Sequence, residues 1–402
     1  MESFSLSNKS SAETAESNGD AQGAPDAAQS LWSQEAPLAP TAPPSEHELS
    51  PPLPADPVLM PTASEARVAR ERALVKTDRR TGLPLTPAPP PGKIARWWRA
   101  IRPETFPLAL APLFLGTALA WMDPVNGLQR AFFHPIRWFF FVLAVLLIYA
   151  GTNLINECYD ALRGITLPNG LGSSGMIQRR LLDTETIGGA GLALLAVGAL
   201  GLLVVAVVTR TWGVLVLGGI SVLLAYLYSA TRYALSYFPL SELIVGFIMG
   251  PAILIGTMQL EGAPITKLAV TFSLVLGGLA AAMILANNLR DVEIDRAANK
   301  RTLVTYVGAQ MGRALYLALV LLPYVLVVVA GFPHLTPHGV LLVLLTCSEL
   351  LVVISGVLRA ETPAALHVVV TRTLRLHTRF SLCLIVGYVL SVLLLFTMHT
   401  FF

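Results

Sequence analysis

The sequence predicts an all-α, polytopic membrane protein, with about nine transmembrane helices after a disordered N-terminal tail. Three observations support this fold class. The 402 residues are 54% hydrophobic and only 13% charged, about half the charged fraction of a typical soluble chain. From residue 105 onward, apolar blocks of membrane-spanning length recur. The three cysteines are too few for a secreted fold held together by disulfides.

Residues 1–91 differ in composition from the rest of the chain. Ala, Pro, Ser and Glu dominate them, as in APLAPTAPPSEHELSPPLPADP. Proline fixes φ and lacks a backbone N–H, so such a segment forms neither a long helix nor a sheet. No apolar region follows a basic start, as it would in a secretory signal. We therefore expect a disordered tail over 1–91 and a transmembrane domain over 92–402.

The apolar blocks are about 18–24 residues long, the length that a helix needs to cross the hydrocarbon layer. They are continuous rather than alternating, which argues against membrane strands. A very tight turn at 210–213 joins the third and fourth blocks. The predicted spans are 105–122, 136–157, 188–209, 211–230, 240–260, 267–288, 313–331, 338–358 and 380–401.

Lys and Arg are concentrated before the first span and after the second, fourth, sixth and eighth. The opposite loops hold only Arg130, Arg210 and Lys267, with Arg137 at a span edge. Because cytoplasmic loops carry the excess of positive charge, we expect a multi-pass protein of the cell (inner) membrane. Its N-terminus would be cytoplasmic and its C-terminus outside. The loop predicted after the eighth span contains Arg359, Arg372, Arg375 and Arg379.

Two polar segments break the apolar pattern, one at the end of the second span and one at the end of the sixth. They read NLINECYD (153–160) and NNLRDVEIDRAANKRT (287–302). The two helices are an even number of crossings apart and therefore run in the same direction. Both polar segments are expected to emerge on the cytoplasmic side.

The spacing of the acids and amides places them on shared helix faces. Asn156 and Asp160 are four residues apart, as are Asp291 and Asp295, and Asn288 continues the second stripe. Residues at this spacing have Cβ atoms about 5–6 Å apart on a helix. Carboxylates this close repel each other unless a cation lies between them. Mg²⁺ suits the role, because it takes oxygen ligands from one or two carboxylates together with substrate phosphates.

Basic side chains beside the second stripe provide a complementary half of the site. Arg290 and Arg301 can fork onto phosphate oxygens, and Lys300 offers a point charge. Together the acids and bases predict a diphosphate held through metal. A solvated cytoplasmic face is an equally good interpretation of Glu293, Arg296 and Arg163, and Asn153 fits a simple interhelical hydrogen bond.

These motifs resemble the UbiA superfamily of intramembrane aromatic prenyltransferases, in particular its 1,4-dihydroxy-2-naphthoate polyprenyltransferases of the menaquinone branch. The most specific match is NNLRDVEIDRAANKRTL (287–303). The resemblance covers essentially all of 95–400 and none of the tail. Further matches are IRPETFPLALAPLFLGTALA (101–120), YS…LSELIVGFIMGP (228–251) and RTLRLH (372–377).

The resemblance implies a UbiA-type helix bundle and a role for each matching residue. Asn156, Asp160, Asp291 and Asp295 would be the catalytic residues that bind Mg²⁺. His377 would lie near the acceptor in the last helix, although a loop histidine with local hydrogen bonds explains it equally well. The residues assigned to the diphosphate or the acceptor are Arg102, Asn288, Arg290, Lys300, Arg301, Glu242 and His377.

Two positions depart from the family pattern. Thr166 stands where the first motif usually has a further Asp, and Asn299 stands where this branch prefers Gly. Thr offers a neutral oxygen but no charge. A weaker metal site, a different acceptor and a loss of activity all remain open.

The predicted activity is Mg²⁺-dependent transfer of a polyprenyl group from polyprenyl diphosphate to an aromatic acceptor. The resemblance favours 1,4-dihydroxy-2-naphthoate, with 4-hydroxybenzoate or homogentisate as alternatives. The expected partners are these substrates and the lipid bilayer, without nucleic acid. Two other classes stay open at this point. A cation-coupled transporter would also use intramembrane acids, and an inactive membrane scaffold is compatible with Thr166.

Overall fold

The chain folds into α-helices and short 3₁₀ turns, with no strand in the part of the chain that the structure describes. Residues 1–90, and with them almost all of the predicted tail, lie outside that part. Side chains are described as far as Leu394. The computed structural model describes residues 91–122, 133–165, 172–230, 234–331 and 338–401.

Eleven helices are present in these ranges, two of them with an irregular turn. The α6 helix contains a π-helical turn at Ile248–Ala252, and α10 begins with the 3₁₀ segment His338–Thr346. The helices are α1 Lys93–Ala100, α2 Pro107–Trp121, α3 Pro135–Leu162, α4 Thr184–Thr209, α5 Trp212–Ser229, α6 Ser241–Leu260, α7 Lys267–Ala297, α8 Leu303–Val307, α9 Ala309–Gly331, α10 His338–Arg359 and α11 Pro363–Phe401.

The chain is an integral membrane protein of the predicted fold class. Among the described residues, 8 helices are long and apolar enough to cross a bilayer. Two further helical pieces, Lys93–Thr105 and Pro107–Trp121, meet at a bend of 54° and are apolar enough to span together. Counted as one broken span, this pair brings the described residues to the nine crossings predicted from the sequence.

Local sequence signals explain where several spans begin and end. Asp183 caps α4, because its carboxylate accepts the backbone N–H of Thr186 at 2.8 Å. The Thr266 hydroxyl caps α7 in the same way through Ala269. Arg210 adopts a left-handed backbone conformation with φ 56°, which forms the tight turn predicted between the third and fourth spans.

Two helices extend well beyond the predicted membrane spans. The α7 helix continues to Ala297, past the predicted span end at 288, so Asp291 and Asp295 lie on a helix as their spacing predicted. The α11 helix begins at Pro363, before the predicted span start at 380, so Arg372, Arg375 and Arg379 of the predicted loop are helical. Glu349 on α10 explains how they are accommodated, since it pairs with Arg379 at 3.0 Å and with Arg372 at 3.8 Å.

Small residues bring the site-bearing helices into close contact. A Cβ atom added to Gly151 of α3 would lie 2.7 Å from the carbonyl oxygen of Gly191 on α4. A Cβ atom added to Gly246 of α6 would lie 3.1 Å from the carbonyl oxygen of Gly277 on α7. Close backbone approach of this kind stabilises helix pairs in lipid by dispersion contacts. These contacts fix the positions of α3 and α7, the two helices that carry the polar motifs.

Candidate active site

A cavity of about 240 Å³ lies between the helices and is charged at one end. Its apolar walls come from α2, α3, α5, α6 and α7, and include Leu108, Phe141, Leu217, Ile244 and Ile253. Its polar lining residues include many of those predicted from the sequence. They are Arg102, Asn153, Asn156, Asp160, Asn288, Arg290, Asp291 and Lys300.

On α3, a neutral amide donates a hydrogen bond to the carboxylate of the first motif. The side-chain nitrogen of Asn156 donates to Asp160 Oδ2 at 3.1 Å. The amide oxygen of Asn156 accepts the Ser229 hydroxyl at 2.7 Å. In this arrangement Asn156 orients Asp160, and its own amide oxygen is held by Ser229 at the cavity lining.

On α7, cations hold the carboxylates of the second motif. The Arg290 guanidinium forks onto Asp291, with Nε donating at 2.7 Å and Nη2 at 2.6 Å. The remaining Nη1 of Arg290 lies 3.2 Å from Nδ1 of His367 on α11. The arginine is itself 5% exposed, so this charge-assisted pair is shielded from solvent and correspondingly strong.

Lys300 follows the end of α7 and turns back toward Asp295. Its Nζ lies 3.2 Å from Asp295 Oδ1, and its backbone N–H donates to the Asp295 carbonyl at 2.7 Å. Burial lowers the pKa of Lys300, but the neighbouring Asp295 and Asp160 carboxylates outweigh it, and the net shift is upward. The lysine therefore stays positively charged at the mouth of the cavity.

The two motifs meet at this charged end. Asp160 from α3 and Asp291 from α7 both line the cavity. Asp160 is also close enough to Asp291 and Asp295 for their charges to interact, and Lys300 interacts with all three. Asp295 is fully buried behind the lining, and its Oδ2 has no hydrogen-bond partner among the described residues.

Besides Asp295, three further predicted residues do not line the cavity. Glu242 is buried on α6 and accepts the Asn288 amide at 2.8 Å, so it supports a lining residue. Arg301 is exposed, and its backbone N–H donates to the carbonyl of Tyr237 at 3.1 Å. His377 is fully buried on α11, away from the cavity lining, and neither ring nitrogen has a partner in the described part of the chain. The local hydrogen bonds of the alternative interpretation are absent there as well.

The structure also shows the surroundings of the residues that the sequence assigned to a solvated face or to a contact between helices. Glu293 and Arg296 form an exposed pair at 3.1 Å, as a solvated face would. Arg163 lies 4.9 Å from the centre of the Tyr237 ring. Asn153 donates to the Ile101 carbonyl at 3.1 Å, the predicted contact between helices.

Of the two positions that depart from the family pattern, only Asn299 lies in the part of the chain that the structure describes. Asn299 has φ 56°, a left-handed conformation that suits the Gly it replaces and that Asn tolerates. Thr166 lies outside the described residues.

Several residues at the site escaped the sequence analysis. Ser229 and His367 contact motif residues from α5 and α11, and nothing in their local sequence signals these long-range contacts. Glu157 lies inside the first motif, but its spacing does not match the face shared by Asn156 and Asp160. Its partner, Ser174, belongs to the loop that follows α3.

The acidic oxygens fit magnesium only as part of a larger ligand set. No group of three or more His, Cys, Asp or Glu side chains in the described ranges is arranged to hold an ion. The donors are nevertheless hard carboxylate oxygens, including the unpaired Oδ2 of Asp295. Mg²⁺ typically takes one or two carboxylates and completes its shell with water and substrate phosphates. The residues present fit that pattern.

A helical membrane bundle whose cavity is apolar along its walls and charged at one end belongs to the class of integral membrane enzymes for amphiphilic substrates. The model of the UbiA prenyltransferase family matches residues 109–378. The chain belongs to this family and is a prenyltransferase.

The matches to curated relatives span most of the length of each relative. The chain is 26% identical over 295 residues to the 1,4-dihydroxy-2-naphthoate octaprenyltransferase of Bacillus subtilis, covering 73% of this chain and 92% of that protein. It is 28% identical over 302 residues to the enzyme of the same name from Escherichia coli, covering 73% and 95%. The corresponding protein of Mycobacterium tuberculosis is 30% identical over 226 residues, covering 55% and 73%.

Solved structures share the fold at low sequence identity. A UbiA homolog from Archaeoglobus fulgidus bound to GPP and Mg²⁺ is 15% identical with a TM-score of 0.50, covering 72% of this chain and 99% of that one. A digeranylgeranylglyceryl phosphate synthase structure gives the same identity and TM-score over 74% and 99%.

Proposed function

We propose that this prenyltransferase transfers a polyprenyl group from polyprenyl diphosphate to 1,4-dihydroxy-2-naphthoate. The observation that carries the proposal is the shape of the cavity, with apolar walls for an isoprenoid chain and a charged end for a diphosphate. The names of the curated relatives support the choice of acceptor.

The diphosphate would bind between the two polar motifs. Arg102, Arg290 and Lys300 supply cationic groups that line the cavity. Magnesium would be held by Asp160 and Asp291, with Asp295 behind them, and when bound would neutralise charge on the leaving diphosphate. Arg290 and Lys300 already contact Asp291 and Asp295, so small rotations are enough to share these cations with the phosphate oxygens.

The reaction is an electrophilic aromatic substitution. The allylic C–O bond ionises, its electron pair leaves with the diphosphate, and the electron-rich ring attacks the allylic carbon. Cationic side chains placed where negative charge develops lower the barrier. The apolar walls exclude water that would capture the cation. The cationic ring adduct regains aromaticity by losing CO₂ from the substituted carbon in the naphthoate branch, which we include in the proposal, or a proton where that carbon carries hydrogen.

The transfer reaction itself is the test of this proposal. The chain is expressed in membranes, given a radiolabelled polyprenyl diphosphate and each of several acceptors, and assayed with Mg²⁺ or with EDTA. We expect Mg²⁺-dependent label transfer to the naphthoate and a product mass that corresponds to loss of CO₂. Transfer only to 4-hydroxybenzoate or homogentisate would replace the proposed acceptor, and absence of transfer to any acceptor would refute the activity.

We also propose a cytoplasmic N-terminus and an external C-terminus in the cell (inner) membrane. The distribution of Lys and Arg between the loops supports this orientation. A reporter that is active only outside the membrane, fused after Phe402, should be active. If the same reporter is active when it is fused before Met1, the proposed orientation is wrong.

A further inference from the structure

Glu157 is a buried acid within the first motif that binds a partner of its own. Its side chain lies on α3 between Asn156 and Asp160, and the residue is 4% exposed. One carboxylate oxygen accepts the Ser174 hydroxyl at 2.5 Å, and the other accepts the Ser174 backbone N–H at 3.2 Å. Both oxygens are therefore engaged by a single residue of the loop between α3 and α4.

The segment 172–174, which this contact holds, touches both arginines at the charged end of the cavity. The Gly172 carbonyl accepts Nη1 of Arg102 at 3.2 Å. Arg290 packs so closely on Gly172 that an added Cβ atom would lie 2.7 Å from its guanidinium carbon. Gly172 has φ 85°, so its conformation and its contact both require glycine.

The same segment forms part of the cavity wall. Gly172 lines the main cavity. Together with Ser173 it also lines a smaller adjoining space of about 50 Å³, bounded by Arg102, Asp160 and Asp291. A displacement of this segment would therefore remove an acceptor of Arg102 and a packing contact of Arg290 at the charged end.

A buried carboxylate is costly unless hydrogen bonds and a nearby cation compensate it. For Glu157, two hydrogen bonds from Ser174 and the nearby charge of Arg102 offset part of this cost. Removal of the carboxylate would leave the Ser174 donors unpaired and the segment unattached on that side.

We propose that Glu157 is a positioning residue for the diphosphate subsite. It holds segment 172–174 through Ser174, and the segment in turn aims Arg102 and Arg290 at the charged end of the cavity. The inference rests on the proposed function and deepens it. Glu157 also lines the smaller space, but both of its carboxylate oxygens bond Ser174, so its proposed role is to hold the segment rather than to react.

The first test separates the Michaelis constants of the two substrates. Glu157→Ala should raise KM for the prenyl diphosphate about tenfold and leave KM for the aromatic acceptor unchanged, which corresponds to about 1.4 kcal/mol of binding. Glu157→Gln should have a smaller effect, because its amide oxygen still accepts the Ser174 hydroxyl. Glu293→Ala is the matched control, an exposed acid paired only with Arg296, and should change neither constant.

A double-mutant cycle tests whether the effect passes through the serine. Ser174→Ala should raise the same KM as Glu157→Gln does, by a few-fold. The combination of Ser174→Ala with Glu157→Ala should be no worse than Glu157→Ala alone, because the two residues act as one unit. Additive effects, or equal changes in both Michaelis constants, would overturn the proposal.

Proteolysis provides a readout that does not depend on turnover. Arg179 and Arg180 follow the segment and are exposed, so the rate of tryptic cleavage there reports how firmly the loop is held. Cleavage should accelerate in Glu157→Ala and Glu157→Gln, and inorganic diphosphate with Mg²⁺ should slow it in the wild type only. Wild-type cleavage rates in both variants would refute the link to Ser174. Failure of the wild type to transfer label would instead refute the proposed function, and with it the role at this subsite.

Discussion

The two polar motifs meet at one cavity, but their carboxylates are neutralised in different ways. Asp160 on α3 is oriented by the neutral amide of Asn156. Asp291 and Asp295 on α7 are paired with Arg290 and Lys300. In the proposed function, the α3 side presents a carboxylate to the metal, whereas the α7 side holds cations that the diphosphate shares.

This difference explains why the site needs both helices. A diphosphate brings several negative charges, so the carboxylates alone would repel it and the basic side chains alone would leave no place for a metal. Opposite charges at close range inside a low-dielectric cavity attract strongly. Substitutions on the two sides should therefore differ in effect.

Loss of a carboxylate on the α7 side should have the largest effect. Asp291→Asn keeps the size of the side chain but removes its charge, and with it the metal ligand and the partner of Arg290. We expect transfer activity to fall by about a thousandfold, the upper range for loss of one preorganised electrostatic group. Initial rates in membranes measure this effect, and immunoblotting for the inserted protein is the control. Activity within tenfold of wild type would contradict the role of Asp291.

Removing the charge of Lys300 should reduce activity far more than removing that of its neighbour Arg301. Lys300 lines the cavity, whereas Arg301 is exposed outside it. We expect Lys300→Met to reduce kcat/KM for the prenyl diphosphate about a hundredfold, because it removes a charge from the diphosphate site. Arg301→Met should cost less than about threefold, as is typical of a solvated charge. Equal losses in the two variants would contradict the geometry of the site.

Support of Asn288 by Glu242 should be visible in both stability and activity. Glu242→Ala leaves the buried amide of Asn288 without its acceptor, at a typical cost of about 1–3 kcal/mol. We expect a lower unfolding temperature and about a tenfold loss of kcat. Glu242→Gln retains an acceptor oxygen and should recover most of both. An Ala variant with wild-type stability would show that this hydrogen bond is dispensable.

The α3 side of the site should tolerate the loss of the hydrogen bond between Ser229 and Asn156. Ser229→Ala removes the hydroxyl that the Asn156 oxygen accepts but leaves the bond from Asn156 to Asp160. We expect a change of less than about fivefold in kcat, in line with the modest net value of one neutral hydrogen bond. The Mg²⁺ concentration that gives half-maximal activity should also change by less than about fivefold. A loss as large as that of Asp291→Asn would show that the two sides are equally demanding.

His377 should matter least for transfer. It lies outside the cavity lining, and its ring nitrogens have no partner in the described ranges. His377→Leu removes a buried polar group without breaking a hydrogen bond, so we expect unchanged kinetics and an equal or higher unfolding temperature. Thermal denaturation in detergent and an acceptor titration measure both. A raised KM for the aromatic acceptor would restore the role that the family resemblance implied.

Much of the fold and part of the site could be predicted from the sequence. Long apolar blocks specify membrane spans directly, and the spacing of Asp291 and Asp295 marked one face of a helix. The sequence did not predict that α11 begins at Pro363, because the charged residues before 380 were assigned to a loop. In the structure, ion pairs such as that of Arg379 with Glu349 allow α11 to carry charge within its length.

What escaped prediction depends on contacts between residues distant in the sequence. Three side-chain hydrogen bonds at the site join separate elements. They link Asn288 to Glu242, Arg290 to His367, and Ser174 to Glu157. Periodicity within one helix cannot specify such pairs, since they depend on how the helices pack.

Metal binding in the presence of a prenyl diphosphate analogue tests most directly whether the two motifs form one site. Mn²⁺ replaces Mg²⁺ in the purified protein, and electron paramagnetic resonance measures its affinity for the wild type, Asp160→Asn, Asp291→Asn and the double variant. We predict that each single substitution weakens Mn²⁺ binding at least about tenfold, and that the double variant is little worse than either. Wild-type affinity in either single variant would contradict a shared site.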